Sequence, residues 1–154
     1  MGLIAFDTHI VVYALNASAP EHPSARRFLE ELAESDSVVV CELVLIELYG
    51  LLRNPAVFPN PASPVHAVER VDAFRRHPRW RLVDYPGEVP TVMDRIWAQA
   101  AAPDFARRRI FDARLAGALR HHGVTQFATA NVRHFDGLGF ERVWNPTALA
   151  VSPG

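Results

Sequence analysis

Residues 3–15 read LIAFDTHIVVYAL, and this stretch is the clearest indication of the fold class. The first four residues are apolar and strand-like, and the apolar spacing from Ile10 to Leu15 suits a helix packed back on that strand. Asp7 therefore marks the carboxyl end of a first strand, which is the edge where open α/β sheets bind ligands. Two interpretations remain open. Asp7 is a functional carboxylate, or it only caps the helix, a task that Thr8 could also perform.

The rest of the chain repeats this alternation of strands and helices. Strands are predicted at residues 3–6, 38–40, 81–83, 126–129 and 142–144, and helices at 9–16, 22–34, 42–53, 64–76, 88–101 and 110–122. Strands separated by helices form a parallel sheet. At 154 residues, 49% of them hydrophobic, the chain can bury one sizeable core. We therefore predict an α/β fold: a single domain over residues 1–150, with a parallel sheet of about five strands flanked by helices, and a short tail at 151–154.

A second acidic residue, Glu47, lies inside a helix that is apolar on nearly every face. Residues 42–52 read ELVLIELYGLL, which predicts a buried helix. A buried carboxylate needs a cation, a hydrogen-bond network or a metal. Glu42 lies about 140° away around an ideal helix, and its place in the first turn suits the helix dipole. We therefore assign a structural role to Glu42 and the chemical role to Glu47.

A third acidic residue, Asp112, stands at the start of a helix that ends near Gly123. It is either a helix cap or a member of the same site. The strand that follows this helix favours the second interpretation, because it leads to Asn131, which offers a further oxygen ligand. Asp7, Glu47 and Asp112 are hard anionic ligands that suit Mg²⁺ or Mn²⁺, and they offer no soft ligand for zinc or copper.

The charge distribution says more than the net charge of −1, which gives no general attraction to nucleic acid. All 16 basic residues are arginine. Arg107, Arg108 and Arg109 stand just before Asp112, where they either grip phosphate or form a solvated face. A second arginine cluster at residues 75–81 is interpreted as a solvated face.

Several features limit the class of protein. A single cysteine, Cys41, excludes an internal disulfide framework and is interpreted as a small core residue. The spacing of the seven histidines argues against structural zinc.

No stretch is long enough to span a membrane. The apolar start of the chain is interrupted at Asp7, too early for a signal peptide, so we expect a cytoplasmic protein. The proline-rich loop at residues 54–64 is either an ordinary connection or a lip over the site.

Taken in order, several short segments resemble those of a known family. They are Phe6-Asp7-Thr8, Glu47-Leu48, Asn54-Pro55 with Val57-Phe58-Pro59, Phe111-Asp112-Ala113 with Leu115-Ala116, Thr129-Ala130-Asn131 with His134-Phe135, and Trp144-Asn145-Pro146. Over essentially its whole length, the chain is similar to PIN-domain ribonucleases of the VapC toxin type, found in bacterial type II toxin–antitoxin modules. The resemblance implies a five-stranded parallel sheet flanked by helices, a Mg²⁺- or Mn²⁺-dependent endoribonuclease, a homodimer, and inhibition by a cognate antitoxin.

The resemblance also implies a mechanism. Asp7, Glu47 and Asp112 would hold the metal, and a metal-activated water molecule would hydrolyse an RNA phosphodiester bond. Single-stranded or loop RNA is the expected substrate, because its backbone is unstacked and within reach.

Three further residues are expected to support this chemistry. As the fourth catalytic residue, Asn131 would position a water molecule or a phosphate oxygen. Thr8 or Thr129 would hydrogen-bond the carboxylates from behind.

One departure from the family pattern concerns the fourth acid. Many relatives place an acidic residue after the fourth strand, where this chain offers Asn131, His134 and, further on, Asp136. A second metal is therefore in doubt, and a catalytically silent PIN-like module that binds RNA or protein is the alternative function. A phosphoaspartate enzyme is disfavoured, because those families use a lysine and this chain has none.

Overall fold

The computed structural model describes residues 2–87 and 89–148. Its strands are β1 (Leu3–Phe6), β2 (Val39–Cys41), β3 (Arg81–Val83), β4 (Val124–Ala128) and β5 (Arg142–Trp144). All of the strand pairs are parallel, in the orders β1-β4-β5 and β2-β3. A parallel bridge between Ile4 and Val38 joins the two groups, and the Ile4 N–H donates to the Ser37 carbonyl oxygen at 2.9 Å. The resulting order, β3-β2-β1-β4-β5, confirms the predicted parallel α/β fold.

The predicted helices are present with small shifts at their ends. They are α1 (Thr8–Leu15), α2 (His22–Leu32), α3 (Glu42–Leu52), α4 (Pro64–Arg75), α5 (Val89–Ala100) and α6 (Arg109–His121). A seventh short helix, α7 (Val132–Phe135), was not predicted, because four residues carry too little periodicity to be recognised. The predicted helix start at residue 88, the domain end at 150 and the tail at 151–154 lie outside the described residues.

The strand boundaries differ slightly from the prediction at the two strands that flank β1. The second strand is shifted by one residue, and the fourth starts at Val124 and ends at Ala128, so Thr129 lies just beyond it. The Thr129 N–H still donates to the Trp144 carbonyl oxygen at 2.9 Å. Thr129 is therefore fixed at the carboxyl edge of the sheet, between β1 and β5.

Apolar side chains are buried on both faces of the sheet. Successive residues of β4 point to opposite faces, as expected for a strand: Phe127 belongs to the cluster under α5 and α6, and Ala128 to the cluster under α1 and α3. Phe127 is fully buried, and its ring centroid lies 4.6 Å from that of Phe135 and 5.1 Å from that of Phe140. This aromatic contact holds α7 against the sheet.

The loop that follows α3 also contributes to the core. The Asn54 carbonyl oxygen accepts hydrogen bonds from the Val57 and Phe58 N–H groups, each at 3.0 Å, and Phe58 is buried beneath the loop. Cys41 is 2% exposed, which confirms its role as a core residue. Among the described residues, no helix is long and apolar enough to cross a membrane.

Candidate metal centre and active site

A cleft of about 320 Å³ opens at the carboxyl edge of the sheet. Its lining includes all four residues that the sequence suggested for catalysis: Asp7, Glu47, Asp112 and Asn131. They come from the end of β1, the middle of α3, the first turn of α6 and the start of α7. The proline-rich loop at residues 54–64 does not contribute to this lining, which favours its interpretation as an ordinary connection.

Asp7 is held in place from two directions. Its Oδ1 atom accepts a hydrogen bond from the Thr8 N–H at 2.8 Å, so it does cap α1. Its Oδ2 atom accepts a hydrogen bond from the Thr129 hydroxyl at 2.8 Å, across the β1–β4 pair. Asp7 is only 7% exposed. Capping and a role in the cleft are therefore compatible, because each carboxylate oxygen has its own partner.

Glu47 lies in the cleft, although not for the reason that the sequence suggested. The prediction that α3 is buried on nearly every face is wrong, because α3 buries one stripe and leaves Ile46 and Glu47 exposed. The Thr8 hydroxyl donates a hydrogen bond to Glu47 Oε2 at 3.0 Å. The structural role of Glu42 is confirmed, since its Oε1 atom lies 2.7 Å from Arg75 Nε on α4.

The pKa of Asp112 lies above its ordinary value. Burial raises the pKa of Asp112, and the nearby carboxylates of Asp7 and Glu47 raise it further, against the lowering effects of His134 and Arg109. His134 Nδ1 lies 3.6 Å from Asp112 Oδ2. Part of the rise therefore reflects repulsion of Asp112 by Asp7 and Glu47, which a bound cation would relieve.

This repulsion leads to a prediction about the metal-free protein. Because the folded pKa of Asp112 is raised, its contribution to stability is complete below the unfolded pKa of about 3.9 and is lost as the pH rises through the folded pKa. Asp112→Asn, which cannot ionise, should therefore raise the melting temperature relative to wild type near pH 7, with little gain near pH 4. Thermal unfolding in EDTA at both pH values measures this. An equal change at both would contradict it.

The structure distinguishes the three candidates for the fourth position. Asn131 lines the cleft, and its N–H donates to the Thr129 hydroxyl oxygen at 3.0 Å. His134 approaches Asp112 from α7. Asp136 is exposed and lies outside the cleft lining, and its carbonyl oxygen accepts a hydrogen bond from Arg109. Asn131 therefore shares the cleft with the carboxylates, and His134 approaches one of them.

The arginine run at residues 107–109 spans the start of α6, and Arg109 lies close enough to Asp112 to lower its pKa. Arg107 and Arg108 are exposed, and Arg109 is half-buried with its guanidinium donating to the Asp136 carbonyl oxygen at 2.6 Å. None of the three belongs to the cleft lining. The cleft instead contains Arg114, which the sequence analysis did not select.

Sequence reasoning also missed other residues at the mouth of the cleft. His9 and Arg114 each stand two positions after a predicted carboxylate, a signal that could have identified them. Ile46 and Phe111 line the cleft with 67% and 72% of their surfaces exposed. Exposed large apolar groups beside an acidic cleft give its mouth a surface suited to stacking or packing.

The donor set suits a hard divalent cation. The cleft offers carboxylate and amide oxygens, and no thiol lines it. Within residues 2–87 and 89–148, no three His, Cys, Asp or Glu side chains are already gathered closely enough to hold one ion together. Mg²⁺ usually keeps several water molecules and binds through one or two carboxylates. The residues therefore fit such an ion without a complete ring of protein ligands.

Comparison with known proteins places the chain in a family. The PIN domain family model matches residues 4–141. Ribonuclease VapC24 of Mycobacterium tuberculosis strain H37Rv is 51% identical over 144 residues, which is 94% of this chain and 97% of that protein.

Solved structures agree on the fold. The FitAcB structure from Neisseria gonorrhoeae has a TM-score of 0.64 at 19% identity, and the match covers 96% of this chain and 100% of that chain. DNA-bound VapBC from Salmonella typhimurium has a TM-score of 0.62 at 19% identity, over 95% of this chain and 99% of that chain. The chain belongs to the PIN-domain family and, within it, to the VapC-type ribonuclease toxins.

Proposed function

We propose that this protein is a Mg²⁺- or Mn²⁺-dependent endoribonuclease, the toxin of a toxin–antitoxin pair. The observation that supports this best is the cleft that Asp7, Glu47 and Asp112 line together, with Asp7 and Glu47 anchored by threonine hydroxyls. A bound divalent cation would stabilise charge on the phosphate oxygens and lower the pKa of a water molecule that attacks the scissile bond.

Each side chain has a distinct part in this proposal. Asp7 is the most rigid cation ligand, because both of its oxygens already accept hydrogen bonds. Asp112 has a raised pKa because of burial and of the nearby carboxylates, and a bound cation would favour its ionised form. Glu47 is exposed, and its position at the mouth of the cleft suits it to accept a proton from the attacking water. Asn131 orients a water molecule or a phosphate oxygen.

The substrate and partners belong to the same proposal. RNA is supported by the ribonuclease name of the relative that is 51% identical. A cognate antitoxin is supported by the VapBC assembly among the structural neighbours. We infer in addition a homodimer and a cytoplasmic location, as the family resemblance implies. The alternative function is a silent PIN-like module. Asn131 favours it, because this residue stands where many relatives have an acid, but the three carboxylates that line the cleft are evidence against it.

Expression in a bacterial host tests the proposal. Induction of the wild-type chain should arrest growth, and co-expression of a short open reading frame adjacent to its gene should restore growth. Purified protein should cleave single-stranded RNA in Mg²⁺ and stop in EDTA. Folded wild-type protein that binds RNA but does not cleave it in Mg²⁺ or Mn²⁺ would instead support the silent module.

A further inference from the structure

The cleft contains a guanidinium group that is held beside the carboxylates. Arg114 stands two residues after Asp112 on α6, is exposed, and lines the cleft. The ion pairs found within residues 2–87 and 89–148 do not involve it. Its charge is therefore not neutralised by a carboxylate in the part of the chain that the structure describes.

An aromatic ring determines where this guanidinium lies. The Cζ atom of Arg114 is 4.6 Å from the centroid of the Tyr85 ring, just beyond the carboxyl end of β3. The Tyr85 ring packs against the core cluster that contains Val83 and Val92, and its hydroxyl donates to Met93 Sδ at 2.6 Å. A guanidinium at this distance from the face of a tyrosine ring is attracted to it electrostatically. The contact restricts the rotamers of Arg114 before any ligand arrives.

The charge balance of the cleft explains what such a group would bind. Asp7, Glu47 and Asp112 give the cleft a negative field, which opposes the approach of an anionic RNA backbone. A guanidinium offers a planar fork of donors that matches two phosphate oxygens, and it stays charged at every relevant pH. An arginine already fixed at the rim loses less conformational entropy on binding than a freely rotating one.

We propose that Arg114 binds an RNA phosphate at the edge of the cleft, and that Tyr85 is the residue that positions it. This inference rests on the proposed ribonuclease function and deepens it, because it names the phosphate-binding group. Arg109, which the sequence made conspicuous, is engaged with the Asp136 carbonyl oxygen instead.

RNA binding in the absence of metal tests the role of Arg114. The probe is a fluorescein-labelled, uridine-rich single-stranded RNA in EDTA, followed by anisotropy across a salt series, with a gel to show that it stays intact. Arg114→Gln should weaken binding about tenfold and flatten the slope of log K against log salt by about 0.7, the value for one phosphate contact on a single strand. Arg70→Gln removes an exposed arginine from α4, outside the cleft, and serves as the matched control.

A second set of variants tests the role of Tyr85. Tyr85→Phe keeps the ring and should bind RNA as wild type does, whereas Tyr85→Leu removes the ring and should weaken binding about threefold. In the Arg114→Gln background, Tyr85→Leu should have no further effect, because the two residues act through one contact. In Mg²⁺ cleavage assays both Arg114→Gln and Tyr85→Leu should raise KM more than they lower kcat.

The outcomes separate this inference from the proposed function. If wild type cleaves RNA and Arg114→Gln binds RNA as tightly as Arg70→Gln does, the inference about Arg114 is wrong and the ribonuclease proposal stands. If wild type binds RNA through Arg114 without cleaving it, the phosphate contact stands and the ribonuclease proposal fails. Additive losses in Tyr85→Leu and Arg114→Gln, or no RNA binding by wild type in EDTA, would overturn the inference.

Discussion

Asp7→Asn should reduce the rate of RNA cleavage by more than about 100-fold while the protein stays folded. Loss of a group that only supports a metal ligand typically costs 10–100-fold, and loss of the ligand itself should cost more. The amide keeps an oxygen that can accept the Thr8 N–H, and its NH₂ group can donate to the Thr129 hydroxyl oxygen. The substitution therefore removes the negative charge while preserving shape. Initial cleavage rates in Mg²⁺, with melting temperatures measured in parallel, provide the test.

Matched substitutions sharpen this result. Glu47→Gln and Asp112→Asn should cause losses of similar size, because all three carboxylates line the same cleft. Asp136→Asn removes an exposed carboxylate that lies outside the cleft lining and should leave the rate unchanged. If Asp7→Asn retains a tenth or more of the wild-type rate, Asp7 is not a ligand of a catalytic metal.

The positions of Asp7 and Asp112 could be predicted from the sequence, because the ends of strands and the starts of helices have local signals. The apolar run that ends at Phe6 locates Asp7 at the edge of the sheet, and the start of α6 locates Asp112. Which threonine supports which carboxylate cannot be read locally. Thr129 contacts Asp7 only because β4 lies beside β1, a pairing across 122 residues.

Glu47 shows how a correct placement can follow from a wrong argument. Its helix is so apolar that the sequence does not show which stripe the sheet will cover. The core covers Val44, Leu45 and Leu48, and this leaves Glu47 and the apolar Ile46 exposed at the mouth of the cleft. When a helix is apolar on most faces, tertiary packing determines which face is buried, and the local sequence pattern does not reveal it.

The basic residues illustrate the same limit. Three successive arginines at residues 107–109 are conspicuous in the sequence, yet none of them lines the cleft, whereas the isolated Arg114 does. The contact between Arg114 and Tyr85 joins α6 to the turn after β3, and so it depends on the sheet order. The short helix α7, which brings His134 to Asp112, could not be predicted either, since its place depends on the packing of Phe135 against Phe127.

Thr129→Val should lower the cleavage rate about 10–100-fold, the usual cost of losing a partner that orients a ligand. Thr129 is fully buried, donates to Asp7 Oδ2 and accepts from the Asn131 N–H, so valine keeps the volume but removes both hydrogen bonds. Two polar groups would be left without this partner, and Asp7 would be held only by the Thr8 N–H. The stability cost should be about 1–3 kcal/mol.

Thr147→Val separates the loss of activity from the loss of stability. Thr147 is 1% exposed, and its hydroxyl donates to the Asn145 side-chain oxygen at 2.6 Å, outside the cleft lining. Both valine variants should melt at lower temperature, but only Thr129→Val should lose activity, and Thr129→Ser should restore most of it because the hydroxyl returns. Equal rates in the two valine variants, assayed well below both melting temperatures, would show that the hydrogen bond to Asp7 has no part in catalysis.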